Sequence, residues 1–288
     1  MKLKHNISAL ALVLCSVTAT YFVTVSTAQQ GVSVQQATAD NEYQVGAVLY
    51  MQKAGEYRAL AYQAFNLARW QLDADFDKKN VKQLPKVEQK KPRAVMVDID
   101  ETILDNSPAQ AYNVKNRLPF DIKQWYVWGE MRKAKAIPGA VEFLSYAHSK
   151  GVKIFYVSNR DEAQKTATMD NLKGAGFPDV TTDDVLLRQV DEKGNPISSK
   201  EPRRQFILQK YRIVFFIGDN LDDHSNVFER KSVADRFAEV DKAKDLFGKR
   251  YILLPNAMYG TWENAIYDYG RLNDAEKAEK RVNALELP

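Results

Sequence analysis

Ala94-Val95-Met96-Val97-Asp98-Ile99-Asp100-Glu101-Thr102 decides how this chain is read. Its apolar run suits a strand buried on both faces, and it ends in two aspartates. Alternation along an extended chain puts Asp98 and Asp100 on the same side. A second stretch, Ile213-Val214-Phe215-Phe216-Ile217-Gly218-Asp219-Asn220-Leu221-Asp222-Asp223, has the same form. In a parallel sheet both strand ends open on one crevice. Two unit charges about 4 Å apart repel by about 4 kcal/mol at an effective dielectric of about 20. Several such pairs strain a fold whose net stability is about 5–15 kcal/mol. Either a divalent cation binds or some of the acids stay protonated. With oxygen donors alone the leading cation is Mg2+, and the indicated chemistry is metal-assisted attack on phosphate.

The rest of the inventory narrows the field. The chain has 288 residues, one cysteine, three histidines and a net charge of +4. Lys2, Lys4 and His5 precede a mostly apolar run from Ile7 to Val25, and Ser26-Thr27-Ala28 offers a small-residue cleavage site. Residues 1–28 are therefore expected to be a secretory signal peptide, with a periplasmic or secreted product. An uncleaved anchor is the rival reading, but Ser16, Thr18, Thr20 and Thr24 interrupt the run. Cys15 is preceded by Leu14 where lipid attachment calls for a small residue, so an outer-membrane anchor is disfavoured. Cys15 leaves with the leader, which removes disulfides and a cysteine nucleophile. His148 and His224 are too few for a histidine-rich zinc centre. The near-neutral charge balance gives no nucleic-acid footprint.

Organisation follows from periodicity. Residues 29–92 read as an N-terminal helical segment and linker. Asn41 to about Phe76 is helical, breakable at Gly46 or Gly55, and Asp77 to Arg93 is a charged loop with Pro85 and Pro92. Residues 93–288 read as an α/β core with strands at Ala94–Ile99, Lys153–Val157, Asp184–Leu187, Ile213–Ile217 and Tyr251–Leu254. Helices are expected after Ile137, from Glu162 to about Lys173, from Glu201 to Lys210, and over the tail from Trp262 to Leu287. Alternation of strand and helix predicts a doubly wound, mainly parallel sheet. Residues 105–136 form an insertion carrying Trp125, Tyr126 and Trp128. It either caps the crevice as a small helical subdomain or packs its aromatics into a core of its own.

The longer stretch Asp98-Ile99-Asp100-Glu101-Thr102-Ile103-Leu104-Asp105-Asn106-Ser107 resembles the first motif of the haloacid dehalogenase superfamily. It looks most like the class C acid phosphatases and their outer-membrane lipoprotein 5′-nucleotidase branch. The resemblance implies a Rossmann-like core and an Mg2+-dependent acid phosphatase acting on phosphomonoesters, nucleoside 5′-monophosphates included. It implies Asp98 as the nucleophile that carries an aspartyl-phosphate, and Asp100 as the acid and then the base. It implies Asp98, Asp219, Asp223 and the backbone carbonyl of Asp100 around the metal. Thr102, Ser158, Asn159 and Lys200 would serve the phosphoryl group, and Trp125 and Tyr259 would flank a nucleobase. For the lysine, Lys193 and Lys210 compete with Lys200, and Trp125 has the alternative of packing within the insertion. Arg160 is read slightly in favour of a structural role, Asp222 as a spare acid turned away, and His148 as surface. The same intermediate would serve a phosphotransferase, and an inactive scaffold would give a surface binding protein. The presence of every motif acid speaks against that last reading.

Overall fold

The computed structural model describes residues 40–288. The expected signal peptide and the first part of the N-terminal segment lie outside the described residues. Eight strands run β1 (Arg93–Val97), β2 (Leu104–Asp105), β3 (Lys135–Ala136), β4 (Lys153–Asp161), β5 (Val185–Val190), β6 (Pro196–Ile197), β7 (Arg212–Gly218) and β8 (Tyr251–Leu253). Six form one sheet in the order β6-β5-β4-β1-β7-β8, parallel except for β6, which runs antiparallel at the edge. The chain lays β4 and β5 on one side of β1 and then returns to lay β7 and β8 on the other. That reversal is the switch point where such sheets open a crevice at their carboxyl ends.

Alternation within the strands makes the sheet two-faced. Val95 and Val97 face a core with Ile154, Tyr156, Phe215 and Ile217, whereas Ala94 and Met96 face one with Phe155, Val157 and Phe216. On the N-terminal side the helices are α1 (Val45–Lys53), α2 (Gly55–Phe76), α3 (Lys78–Gln83) and α4 (Lys86–Lys90). The break falls at Ala54, beside Gly55, and Gly46 stays inside α1. The stretch expected as a loop between Asp77 and Arg93 instead folds into α3 and α4. Asp77 caps α3 by accepting from the backbone of Lys79, and Pro85 sits just before α4. A side-chain cap and a proline at a helix start outweigh the charge of the segment.

Two helices, α5 (Ser107–Lys115) and α6 (Ile122–Met131), make up the insertion. β2 and β3 pair antiparallel across its neck, Leu104 opposite Ala136 and Asp105 opposite Lys135. Two-residue strands carry no periodicity, so this ribbon escapes a sequence reading. Next come α7 (Ala140–Ser149), α8 (Lys165–Gly174) and α9 (Glu201–Lys210). Beyond β7 the chain adds the short α10 (Leu221–His224) and α11 (Val233–Lys242), and the tail divides into α12 (Thr261–Ile266) and α13 (Asp274–Asn283). Among the described residues no helix is long and apolar enough to cross a membrane.

The long helix α2 is welded to the sheet. Ala61, Phe65, Ala68 and Leu72 recur at helical spacing and are buried in the main core with Phe143 and Leu144 of α7. Ile207 of α9 covers the opposite face. Near the end of α2, Asp75 accepts from Arg93 Nε at 2.6 Å and from Arg212 Nη1 at 2.7 Å and Nη2 at 2.6 Å. It thus ties the helix to the start of two adjacent strands. Burial works to raise the Asp75 carboxyl, but the bonds and charges of Arg212 and Arg93 outweigh it and hold it below its ordinary value. Removing one partner of a largely buried ion pair strands the others. Asp75→Ala is therefore expected to cost about 3 kcal/mol in urea unfolding. Because the folded carboxyl is the more acidic, this contribution is present above about pH 4 and fades as pH falls through the depressed folded value. The gap between wild type and variant should narrow on acidification.

Candidate active site

Strand register assembles the site. Val97 lies opposite Tyr156 on one side and Ile217 on the other, so Asp98 and Asp219 leave the carboxyl ends of β1 and β7 beside Ser158, which lies within β4 before that strand runs on to Asp161. The backbone N–H of Asp98 still donates to Ile217 O at 2.9 Å, which fixes the height of its side chain. Asp98, Asp219 and Asp223 bring carboxylate oxygens within 4.8 Å of one another. The Thr102 hydroxyl lies between two of them, 3.2 Å from Asp98 Oδ2 and 3.0 Å from Asp219 Oδ1. Lys200, at the start of α9 and buried, forms ion pairs with Asp98 and with Asp223 Oδ1, the latter at 2.7 Å. The competing Lys193 and Lys210 are exposed.

Gly218 makes room for this arrangement. A Cβ there would overlap the Asp223 side chain. Asp223 is turned inward because its Oδ2 accepts from the Asn220 backbone N–H at 3.0 Å, closing a capping box on α10. Asp222, next to it, turns away to Arg236 at 3.2 Å. Burial pushes its carboxyl up to about 6 against the pull of Arg236. His224 is buried with its two ring nitrogens 3.1 Å from Asn220 O and 3.2 Å from Ile252 O, and His148 is a surface partner of Asp179.

The charges are crowded. Burial first, and the neighbouring acids second, raise Asp98 well above its ordinary value despite Lys200. Burial and Asp223 push Asp219 up to about 7, although hydrogen bonds from Asn256 and Thr102 oppose them. Burial also works to strip Lys200 of its proton, but Asp223 and Asp98 outweigh it and keep the ammonium charged. When ionised, three carboxylates against one ammonium leave two negative charges uncompensated, a deficit that one divalent cation matches. The donors are hard oxygens, the set that suits magnesium, calcium or manganese. The residues therefore fit a hard divalent ion.

Asp100 stands beside this cluster in a cradle of donors. Ser158 Oγ donates at 3.1 Å, Asn106 Nδ2 at 2.8 Å and Arg160 Nη2 at 2.7 Å. Arg160 is buried and also donates to Thr168, and its guanidinium lies 5.4 Å over the Trp125 ring. Asn159 is exposed and is not among the groups that touch the carboxylates. It donates to Ser198 O at 2.8 Å and accepts from Arg203 at 2.7 Å, linking β4 to the segment before α9. Trp125 is half-buried on α6. Tyr259, also half-buried, donates its hydroxyl to Glu101.

Four contributors escaped the sequence reading. Glu101 is wholly buried, accepts from the Asn106 backbone and the Tyr259 hydroxyl, and has a backbone φ of 58° that side chains rarely adopt. Burial and Asp100 raise its carboxyl well above the ordinary value. Asn256 donates to Asp219 Oδ2 at 2.8 Å, and its place after a predicted strand was the signal available. Asn106 stood out only as part of a motif. Tyr57 of α2 brings a buried hydroxyl, unpartnered among the described residues, into the field of Glu101, Asp105 and Asp219.

A switch-point crevice holding an aspartate pair, a hydroxyl donor, a lysine and a Gly-Asp acid cluster defines the haloacid dehalogenase (HAD) class of proteins. Within it, the chain belongs to HAD superfamily subfamily IIIB (acid phosphatase), whose profile matches residues 10–262. The fold is similar to that of a class C acid phosphatase from Bacillus anthracis with tungstate bound. Identity is 42 % over 86 % of this chain and 98 % of that one, with a TM-score of 0.77. A second structure of the class C acid phosphatase from Bacillus anthracis gives 41 % identity, the same coverage and a TM-score of 0.77. Acid phosphatase 1 of Solanum lycopersicum is 29 % identical over 128 residues, 44 % of this chain. The match spans about half of that curated relative, 49 % of its length.

Gly218→Ala tests the packing argument. The added methyl must displace Asp223, so calorimetric titration is expected to show metal affinity weakened about tenfold or more while the fold persists.

Proposed function

We propose that this protein is an exported, Mg2+-dependent acid phosphatase that hydrolyses phosphomonoesters, nucleoside 5′-monophosphates among them, through an aspartyl-phosphate. The observation that carries the proposal is the placement of Asp98. It ends a central strand at the crevice, with one oxygen on Lys200 and the other beside Thr102. Membership of an acid phosphatase family supports the reaction class. So does the likeness to the Bacillus anthracis enzyme with tungstate bound, since tungstate is an oxyanion of phosphate-like shape and charge.

In the first step a carboxylate oxygen of Asp98 attacks phosphorus and the ester P–O bond breaks. The electron pair goes to the leaving oxygen, which takes the proton of the Asp100 carboxyl. In the second step the Asp100 carboxylate takes a proton from water as the water oxygen attacks phosphorus. The P–O bond to Asp98 breaks, phosphate leaves, and both side chains return to their starting states. Splitting one displacement in two is the logic of nucleophilic catalysis. Lys200 offsets charge on the phosphoryl oxygens, and Ser158 supplies a hydroxyl donor at the same level of the sheet. Asp98, Asp219, Asp223 and the carbonyl of Asp100 would hold the magnesium ion. When bound, it would neutralise negative charge on the transferring group.

Substrate recognition is assigned to Trp125 and Tyr259. Aromatic faces accept any nucleobase by stacking, so a broad nucleotide range is expected. The expectation of a signal peptide at residues 1–28 supports a periplasmic or secreted location.

Asp98→Asn is expected to lower phosphate release by about 10³-fold or more while circular dichroism stays unchanged. Normal turnover by that variant would remove the mechanism. Chelation should abolish activity and added Mg2+ should restore it. Trp125→Ala and Tyr259→Ala are each expected to raise KM for nucleoside monophosphates about tenfold relative to KM for glycerol phosphate, which has no ring to stack. An unchanged ratio would defeat the stacking role.

A further inference from the structure

Asn106 is itself held from the insertion. It is only 2 % exposed. Its Oδ1 accepts from the Trp128 indole N–H at 2.8 Å and from Arg160 Nη2 at 3.3 Å. Indole and guanidinium nitrogens only donate. Two obligate donors at one end of the amide require the oxygen there, and this turns the NH2 toward Asp100 Oδ1 at 2.8 Å. The Asn106 backbone N–H donates to Glu101 Oε1 at 2.8 Å and anchors the residue from its other side. Trp128 sits on α6 and packs against the main core, so its indole is a fixed point. A rigid chain of contacts thus runs from the insertion through Asn106 to the Asp100 carboxyl.

We propose that Asn106 is a positioning residue for Asp100, and that Trp128 keeps Asn106 in the required flip. The proposal rests on the reading of Asp100 as the group that protonates the leaving oxygen. As the ester P–O bond breaks and the bond from Asp98 to phosphorus forms, the proton must travel along one direction. Asn106 donates to Oδ1, Ser158 to Oδ2, and Arg160 to both, through Nη2 and Nε to Oδ1 and through Nε to Oδ2 at 3.1 Å, and together they fix the plane of the carboxyl. Loss of Asn106's donor, or of the indole that orients it, removes the one neutral grip on Oδ1 and leaves the carboxyl to shift toward Arg160 and Ser158.

Leaving-group chemistry distinguishes this role from general structural support. p-Nitrophenolate departs readily as an anion, whereas the alkoxide of glycerol phosphate needs its proton during bond cleavage. A misaligned acid therefore loses rate in proportion to leaving-group basicity. A loosened fold loses rate on all esters alike. kcat/KM is the constant to follow, because it reports the first phosphoryl transfer.

The experiment compares wild type, Trp128→Phe, Asn106→Asp and Asp100→Asn in the full chain with Mg2+ present. Substrates are p-nitrophenyl phosphate, phenyl phosphate and glycerol phosphate. Trp128→Phe and Asn106→Asp are each expected to lower kcat/KM for glycerol phosphate about tenfold more than for p-nitrophenyl phosphate, with Asp100→Asn more selective still. If Trp128→Phe fails to fold, Asn106→Asp, equal in size to the residue it replaces, carries the same decision. Equal losses on all three esters in the Asn106 and Trp128 variants, beside a selective Asp100→Asn, would overturn the positioning role and leave the acid in place. An unselective Asp100→Asn would overturn the acid itself, and the inference with it.

Discussion

Everything in this structure turns on the repulsion among Asp98, Asp219 and Asp223, met inside the protein by a single ammonium. Lys200 touches two of the three and remains charged because they surround it. Thr102, Asn256 and the Asn220 backbone satisfy further oxygens with neutral donors. These bonds orient the carboxylates without cancelling their charge. The deficit that is left is what makes the pocket receptive to a hard divalent ion and, through it, to a phosphoryl dianion.

The fold is arranged to hold that repulsion in place. β1 and β7 end side by side and β4 runs on past them, so Asp98, Ser158 and Asp219 are delivered by hydrogen-bonded strands and not by a free loop. Lys200 is the N-cap residue directly before α9, so that the start of a packed helix sets the height of the ammonium. Gly218 removes the one side chain that would push Asp223 away. On the far side of the crevice, Arg160 and Asn106 give Asp100 surroundings unlike those of Asp98. Two aspartates two residues apart thereby acquire different partners, the condition for dividing nucleophile and acid between them.

The five principal strands and the doubly wound pattern were legible because apolar runs bounded by glycine, proline and acid signals have few other readings. Their ends moved by a few residues, as with β4, which runs on to Asp161. The ribbon of β2 and β3 and the helices α3, α4 and α10 are too short to show a period, and local caps decided them. The acid motifs were legible as chemistry placed after strands, and Lys200 only through the resemblance, as the lysine that precedes the strand ending at Gly218. Glu101, Asn256 and Asn106 were not, because each acts by touching a residue far away or on the other side of a turn. Asn159 shows the converse. It stands directly after Ser158, yet its amide is spent on Ser198 and Arg203.

By itself, then, the order of residues determined which groups stand at strand ends, since period-two alternation and buried apolar runs are local properties. It also determined that carboxylates outnumber the cations available to them there. Only the tertiary structure decided which oxygen faces which donor. That depends on register between strands distant in the chain, on Lys200 reaching across from α9, and on an indole in the insertion setting the flip of one amide. Such pairings are made across folded space, and no spacing along the chain encodes them.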